Sequence, residues 1–150
     1  MNSEKMRFEK IPSVVILDFG SQFTQLICRT VRELGVSCEI EPYSIDAKSL
    51  SARRPLAIIL SGGPASVRAK TSPKVITTVF DLGVPILGIC YGMQLISHLQ
   101  KGKVESGKAR EYGVCEIEIL SEHGLFQGFS KGTKVPVWMS HGDSVGDGPP

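Results

Sequence analysis

Residues 84–99, with the sequence VPILGICYGMQLISHL, decide the fold that we expect for this chain. The apolar run Val84–Ile89 predicts a buried strand, and Met93–Leu99 predicts a helix that runs into Gly102. Between them, the segment Gly88-Ile89-Cys90-Tyr91-Gly92 places a cysteine among small residues that let the backbone bend tightly. The stretch therefore predicts a strand, a sharp turn at Cys90 and a helix.

The same alternation of strand and helix extends towards the N-terminus. Strands are predicted at Val14–Leu17, Val36–Ile40 and Leu56–Leu60, and helices at Phe23–Leu34 and Lys74–Leu82. Strands that are apolar on both faces need helices on both faces. We therefore expect an α/β fold with an open, mostly parallel sheet.

The pattern changes after Gly113. Val114–Leu120 alternates apolar and polar residues, which indicates a half-solvated strand and would suit an antiparallel edge position. Val135–Met139 is predicted as the last strand, and residues 146–150 as a loop. We expect residues 1–13 to be an N-terminal lead and residues 14–150 to form part of one domain, incomplete at its C-terminus.

The composition argues against several classes of protein. The 150 residues suffice for one domain, and 41% hydrophobic with 21% charged residues is an ordinary globular balance. The net charge is only +2 and no basic stripe is interleaved with aromatic residues, so we expect no nucleic-acid partner. The apolar runs are far shorter than the roughly 20 residues of a membrane span, so we expect no membrane partner.

The cysteines predict a reducing compartment. They lie in apolar segments without the spacing of metal ligands, and no signal-peptide core follows the N-terminus; they are Cys28, Cys38, Cys90 and Cys115. We expect reduced thiols in the cytoplasm, three of which pack as small hydrophobic residues.

Three motifs lie where predicted strands end. They are Gly62-Gly63-Pro64, Cys90-Tyr91-Gly92 and Ser140-His141-Gly142-Asp143. In open α/β sheets, ligands bind at the carboxyl ends of the strands. The convergence of the three motifs on such ends predicts a binding or catalytic site there.

The pattern around Cys90 is the thiol version of a nucleophile elbow, in which a reactive side chain sits on a strand-to-helix turn. The N-terminus of the following helix carries partial positive charge and free N–H groups, which favour a thiolate over a thiol. A buried cysteine in a turn whose glycines serve packing is the alternative explanation. The strand–turn–helix context favours the nucleophile.

An acyl-transfer nucleophile also needs donors for the developing oxyanion and a general base. The backbone N–H groups of Gly63 and Tyr91 are the candidates for the oxyanion hole, although the glycine segment alone is better explained as a tight turn. Of the three histidines, only His141 follows a predicted strand, whereas His98 and His123 suit surface or packing positions. The residues alone therefore favour a Cys90–His141 pair.

Five segments resemble, in the same order, the glutamine amidotransferase domain of GMP synthetases, a branch of the class I glutamine amidotransferases. They are Ile16–Ile27, Ile59–Pro64, Leu87–Gln94, Arg110–Gly113 and Ser140–Asp143. Class I members share the Gly-x-Cys-x-Gly pattern, whereas the Asp-Phe-Gly-Ser-Gln and Ser-His-Gly-Asp segments indicate the GMP synthetase branch rather than the anthranilate or carbamoyl-phosphate branches. The likeness extends from about Val14 to Val145 and implies a flavodoxin-like topology.

The resemblance implies roles for particular residues. Cys90 would attack the side-chain amide of glutamine, release ammonia and leave a glutamyl thioester that water cleaves. The Gly63 and Tyr91 amides would form the oxyanion hole. The amino-acid end of glutamine would be held by Gln94, Ser140, Gly142 and Asp143.

The resemblance also replaces His141 as the base. In this family the base is the histidine of a later His-Pro-Glu motif, which these 150 residues do not contain. We therefore expect the chain alone to be inactive, as a fragment or as one of two chains. The partner would be a synthetase domain or subunit that uses ATP and Mg²⁺ to aminate xanthosine 5′-monophosphate, and this domain itself would need no cofactor.

Two alternatives remain at this stage. One is another cysteine hydrolase on a similar fold, of the DJ-1 or peptidase type, against which Gln94 and the Asp-Phe-Gly-Ser-Gln segment argue. The other is a non-catalytic module that binds glutamine or a synthetase partner, which the missing His-Pro-Glu motif favours.

Overall fold

A computed structural model of the chain describes residues 13–75, 77–146 and 148. These residues divide into two compact units, residues 105–144 forming one and the rest of the chain the other. Most of the predicted N-terminal lead lies outside the described residues, so that boundary stays a prediction.

The larger unit contains a four-stranded parallel sheet. Its strands are β1 (Val14–Asp18), β2 (Cys38–Pro42), β3 (Ala57–Leu60) and β4 (Ile86–Gly88), and they pair in the order β2-β1-β3-β4. Among the described residues, three α-helices accompany the sheet: α1 (Thr24–Glu33), α2 (Ala47–Ala52) and α3 (Tyr91–Leu99). The predicted parallel α/β architecture is confirmed, because every pair of neighbouring strands in this sheet runs parallel.

Helices cover both faces of this sheet, as the sequence predicts. Successive side chains of a strand point to opposite faces, so that Val15 and Leu17 pack in one core and Ile16 packs in the other. The first core also contains Leu50 of α2 and Leu95 of α3. The second core contains the α1 residue Cys28 together with Cys38 and Ile59. Helix α1 therefore lies on one face, and α2 and α3 lie on the other.

Two helical segments differ from the prediction. Helix α2 is not among the predicted helices. It begins after Asp46, whose carboxylate accepts the Ser49 N–H at 2.9 Å and the Ser49 hydroxyl at 2.6 Å. Such a side-chain cap satisfies an N–H group that the first turn of a helix leaves free. The helix predicted at Lys74–Leu82 is instead a 3₁₀ helix at Thr77–Leu82, where the β-branched residues Thr77, Thr78 and Val79 disfavour an α-helix.

The smaller unit is built on a two-stranded sheet of β5 (Val104–Glu118) and β6 (Lys134–Val145), with a 3₁₀ helix at Gly124–Phe126 between the strands. The Ile119 N–H bonds to the Thr133 carbonyl, and the Gly146 N–H bonds to the Lys103 carbonyl, each at 2.9 Å. The start of one strand thus lies beside the end of the other, so the pair is antiparallel. The half-solvated alternation expected after Gly113 is present, and among the described residues β5 and β6 form a two-stranded sheet of their own.

Within the described residues, no helix combines the length and the apolar character that crossing a membrane requires.

Candidate active site

The turns after β1, β3 and β4 lie side by side at one edge of the parallel sheet. Leu17 is paired with Leu60, and Leu60 is paired with Gly88, so the three strands end at the same level. Strand β3 lies between the other two. Ligands of open α/β sheets bind at this carboxyl edge.

Cys90 lies at the junction of β4 and α3, where the sequence predicts it. Its φ is +48° and its ψ is −109°, a conformation that non-glycine residues rarely adopt. The thiol makes no capping hydrogen bond to α3 and is half-buried. A strained residue at a strand-to-helix turn is the geometry of a nucleophile elbow, because the strain fixes the direction of the reactive side chain.

The two glycines of the elbow are required by close packing. A Cβ at Gly88 would lie 2.5 Å from the backbone N and Cα of Met93. A Cβ at Gly92 would overlap with the carbonyl group of Leu60, which it would approach to 2.7 Å at the carbonyl carbon. The start of α3 therefore packs directly against β3 and β4, and only glycine leaves room for it.

The Gly62–Gly63 turn after β3 lies against the elbow. A Cβ at Gly62 would lie 3.6 Å from Cys90 Cβ, so the backbone of Gly62 is next to the cysteine. Gly63 packs on the other side against Phe19, whose carbonyl oxygen would lie 2.6 Å from an added Cβ. Within the described part of the chain, no acceptor bonds to the backbone N–H of Gly63 or Tyr91. The two amides predicted to form the oxyanion hole are thus both unoccupied by protein groups.

The turn after β1 is held by Asp18. Its Oδ1 accepts the Thr24 hydroxyl at 2.7 Å and the Gly20 N–H at 3.0 Å. The next residue, Phe19, is buried and packs its ring 5.3 Å from the ring of Tyr91. The Asp-Phe-Gly segment therefore supports the residue that follows the cysteine.

Tyr91 itself anchors the start of α3. Its side chain is buried, and its hydroxyl donates a hydrogen bond to the Pro73 carbonyl. Burial raises the pKa of this hydroxyl above its ordinary value, which keeps it protonated as the donor. The Tyr91 side chain thus fixes the backbone at the N-terminus of α3, directly after Cys90.

Gln94 lies one helical turn after Cys90, and its N–H bonds to the Cys90 carbonyl at 3.1 Å. The Cys90 carbonyl therefore caps the first turn of α3, which connects the backbones of these two residues. Its side chain is buried, with 4% of its surface exposed. Its predicted contact with glutamine stays a prediction.

A family model described as glutamine amidotransferase class-I matches residues 15–148. The chain belongs to the class I glutamine amidotransferase family. It is 55% identical over 135 residues to a GMP synthase [glutamine-hydrolyzing] of Brachyspira hyodysenteriae and 52% identical over 134 residues to one of Agrobacterium fabrum. These alignments cover 90% and 89% of this amidotransferase chain. The chain spans about a quarter of the length of these curated relatives, 26% in each case.

Solved structures agree with this assignment. The chain resembles a GMP synthase subunit of Thermoplasma acidophilum with a TM-score of 0.76 and 28% sequence identity, over 89% of this chain and 66% of that one. It also resembles a glutamine amido transferase of Methylobacillus flagellatus with a TM-score of 0.64 over 92% of this chain and 58% of that one. The identity there is 16%, so this second likeness shows the fold alone.

The remaining residues that are predicted to bind substrate lie in the smaller unit. Ser140, Gly142 and Asp143 all fall inside β6, which continues to Val145. The prediction that this motif follows the end of a strand is therefore wrong, because pairing with β5 extends the strand through it. Their contact with glutamine stays a prediction.

The structure offers little support for a histidine beside Cys90. His98 is exposed in the last turn of α3 and lies eight positions after Cys90, which corresponds to roughly 12 Å along a helix axis. His123 is exposed in the smaller unit. The side chain of His141 lies outside the described part of the structure.

The other thiols are free and differ in their surroundings. Cys28 and Cys38 are buried, whereas Cys115 on β5 is half-buried like Cys90, so it does not pack in a core as predicted. Burial, and then the neighbouring Cys28 thiol, raise the pKa of Cys38 to about 12. No group of three or more potential metal ligands occurs among residues 13–75, 77–146 and 148.

Proposed function

We propose that this chain is the glutamine-hydrolysing part of a GMP synthase. The Cys90 thiolate attacks the side-chain amide carbon of glutamine, forming a carbon–sulfur bond and a tetrahedral oxyanion. The carbon–nitrogen bond then breaks, and ammonia leaves after taking up a proton. Water cleaves the resulting thioester to glutamate and returns the thiol.

One observation carries this proposal: Cys90 sits with positive φ on the turn between β4 and α3, beside the Gly62–Gly63 turn. A cysteine at an ordinary buried position gains nothing from such a strained backbone, whereas a nucleophile gains a fixed direction. The relatives that match at 52–55% identity are named as glutamine-hydrolysing GMP synthases, which supports the choice of glutamine.

The remaining roles follow from position. The Gly63 and Tyr91 N–H groups form the oxyanion hole, where each aligned donor contributes to the rate because it stabilises charge that develops in the transition state. Gln94, Ser140, Gly142 and Asp143 bind the amino-acid end of glutamine.

The general base comes from outside these 150 residues. No His-Pro-Glu sequence occurs in them, and the length of α3 keeps His98 away from Cys90. General-base help contributes roughly 10²–10⁴-fold, so steady turnover by the chain alone should be close to background. Binding of glutamine without turnover is the second candidate function, and the same sequence observation favours it.

The ammonia would serve an ATP-dependent synthetase domain or subunit that aminates xanthosine 5′-monophosphate to GMP. ATP and Mg²⁺ belong to that synthetase, and the amidotransferase part works without a cofactor. We place the protein in the cytoplasm, which the free thiols of the buried Cys28 and Cys38 support, since cysteines stay reduced there.

A glutamine-like alkylating reagent tests the nucleophile. We expect it to label Cys90 in preference to Cys115, because only Cys90 has a glutamine site beside it. The two thiols are similarly half-buried, so Cys115 is a matched internal control. Peptide mass spectrometry after limited reaction gives the labelled fraction of each cysteine, and free glutamine should protect Cys90 alone.

The control reagent is iodoacetamide, which has no glutamine-like portion and should modify both half-buried thiols. Equal labelling of Cys90 and Cys115 by the glutamine-like reagent, or no protection by glutamine, would contradict the proposed function. Ammonia release at background is expected in the same samples, whereas strong release would show that a local group acts as the base.

A further inference from the structure

Ser61 is the most deeply placed polar residue of the site. It directly follows β3 and has no exposed surface. Its hydroxyl accepts the Phe19 N–H at 3.0 Å and donates to the Gly62 carbonyl at 2.9 Å. One hydroxyl group thus connects the turn after β1 with the turn after β3.

The hydrogen bond from the Ser61 hydroxyl to the Gly62 carbonyl determines where the N–H of Gly63 points. The Gly62 carbonyl and the Gly63 N–H belong to one planar peptide group, which is trans because the structure contains no cis peptide bond among its described residues. In a trans peptide the C=O and N–H bonds point in opposite directions. With its carbonyl held by Ser61, this peptide turns the Gly63 N–H away from Ser61.

The backbone of Ser61 positions the second amide of the site. Its carbonyl accepts the Gly92 N–H at 3.1 Å, and its N–H bonds to the Leu17 carbonyl at 3.1 Å. Gly92 directly follows Tyr91, so the first turn of α3 is tied to the same residue that orients Gly63. Ser61 therefore connects to the backbone beside both predicted oxyanion donors.

We propose that Ser61 is a positioning residue for the oxyanion hole, acting through the Gly62–Gly63 peptide rather than by touching substrate. The inference rests on the proposed glutaminase chemistry of Cys90. The Ser61 hydroxyl would orient the Gly63 N–H, a role that a residue needed only for packing would not have.

A glutamine analogue with an aldehyde in place of the side-chain amide tests this proposal in the full 150-residue chain. The Cys90 sulfur adds to the aldehyde carbon, the carbon–oxygen double bond becomes a single bond, and the thiol proton ends on that oxygen or in solvent. The adduct carries its oxygen where the oxyanion forms, so its stability reports on the hole. The aldehyde concentration that half-protects Cys90 from iodoacetamide measures its affinity.

Ser61→Ala should weaken aldehyde binding by about 10- to 100-fold, a part of the roughly 10²–10³-fold effect of removing such a donor. The rate of iodoacetamide alkylation of Cys90 without aldehyde should stay close to that of the wild type, because alkylation forms no oxyanion. Ser97→Ala is the matched control: Ser97 is also buried, and its hydroxyl has no hydrogen-bond partner within the described residues. It should change neither quantity.

Ser61→Cys serves as a second variant if Ser61→Ala does not fold, since it keeps the shape of the side chain and weakens both hydrogen bonds. Wild-type aldehyde affinity in either folded variant would overturn the inference and leave the proposed function standing. An equal loss of aldehyde binding and alkylation would also overturn it, since Ser61 would then only support the fold. A wild-type chain that forms no aldehyde adduct at Cys90 would overturn the proposed function itself.

Discussion

Replacing Cys90 by glycine should make the protein more stable than replacing it by alanine. Cys90 has a φ of +48° and a ψ of −109°. This conformation crowds the Cβ of any residue that has one, so alanine keeps the strain and glycine removes it. Because both variants lack the sulfur atom, their difference in stability measures the effect of the backbone alone.

The size of the difference follows from two opposing effects. Residues in such sparsely populated conformations cost about 1–3 kcal/mol, while the greater freedom of glycine in the unfolded chain costs about 0.5–1 kcal/mol. The free energy of unfolding should therefore be higher for Cys90→Gly than for Cys90→Ala by about 1 kcal/mol at the middle of these ranges, and by at most about 2.5 kcal/mol. For a chain of this size, each 1 kcal/mol raises Tm by roughly 2–4 °C.

Thermal and denaturant unfolding, followed by circular dichroism, measure this difference. The same pair of substitutions at Cys115 is the control, because Cys115 lies in β5 and is not among the described residues with positive φ. There glycine should be the less stable variant by about 0.5–1 kcal/mol. A Cys90→Gly variant no more stable than Cys90→Ala would refute the claim that the elbow is strained.

Two further predictions use other parts of the site and core. Gly62→Ala adds a methyl group 3.6 Å from Cys90 Cβ, an ordinary contact, so the protein should fold while the glutamine-like reagent labels Cys90 at least about tenfold more slowly. Gly63→Ala, with its Cβ 2.6 Å from the Phe19 carbonyl oxygen, should instead lower Tm, and equal effects of the two substitutions on Tm would count against this geometry. The pKa of Cys38 is raised from 9.0 to about 12, so its thiol stabilises the fold below pH 9 and this contribution is lost as pH rises towards 12. The free energy of unfolding should fall more steeply with pH over that range in the wild type than in Cys38→Val, and parallel curves would disprove it.

The features that the sequence predicted best are those that depend on neighbouring residues. The elbow is recognisable from the sequence because α3 can begin against β3 and β4 only if residues 88 and 92 are both glycine. This requirement produces the five-residue pattern Gly-x-Cys-x-Gly. The strands of the parallel sheet were found within a few residues because strands buried on both faces are continuous apolar runs.

Features that depend on distant contacts were missed. The hydrogen bond from the Phe19 N–H to Ser61 joins residues 42 positions apart, and no local pattern announces it. The sequence predicts a strand that ends at Met139, with Ser140–Asp143 after it, but pairing with β5 extends β6 to Val145. Helix α2 could have been found, because Asp46 and Ser49 form a recognisable capping pair.

The elbow depends mainly on backbone groups, whereas the rest of the proposed site depends on side chains. The proposed oxyanion donors, Gly63 and Tyr91, act through backbone N–H groups, and the glycines beside Cys90 matter because they lack a Cβ. The Cys90 sulfur is the one side-chain atom of the elbow that takes part in the proposed reaction. The parallel sheet and α3 can therefore hold this sulfur in place without help from the side chains that bind substrate. In the proposed mechanism, recognition of glutamine depends on side chains such as Gln94. Substitution of a residue that orients the backbone donors, such as Ser61, should therefore change the stability of the aldehyde adduct at Cys90. Substitution of Gln94 should instead change the affinity for glutamine.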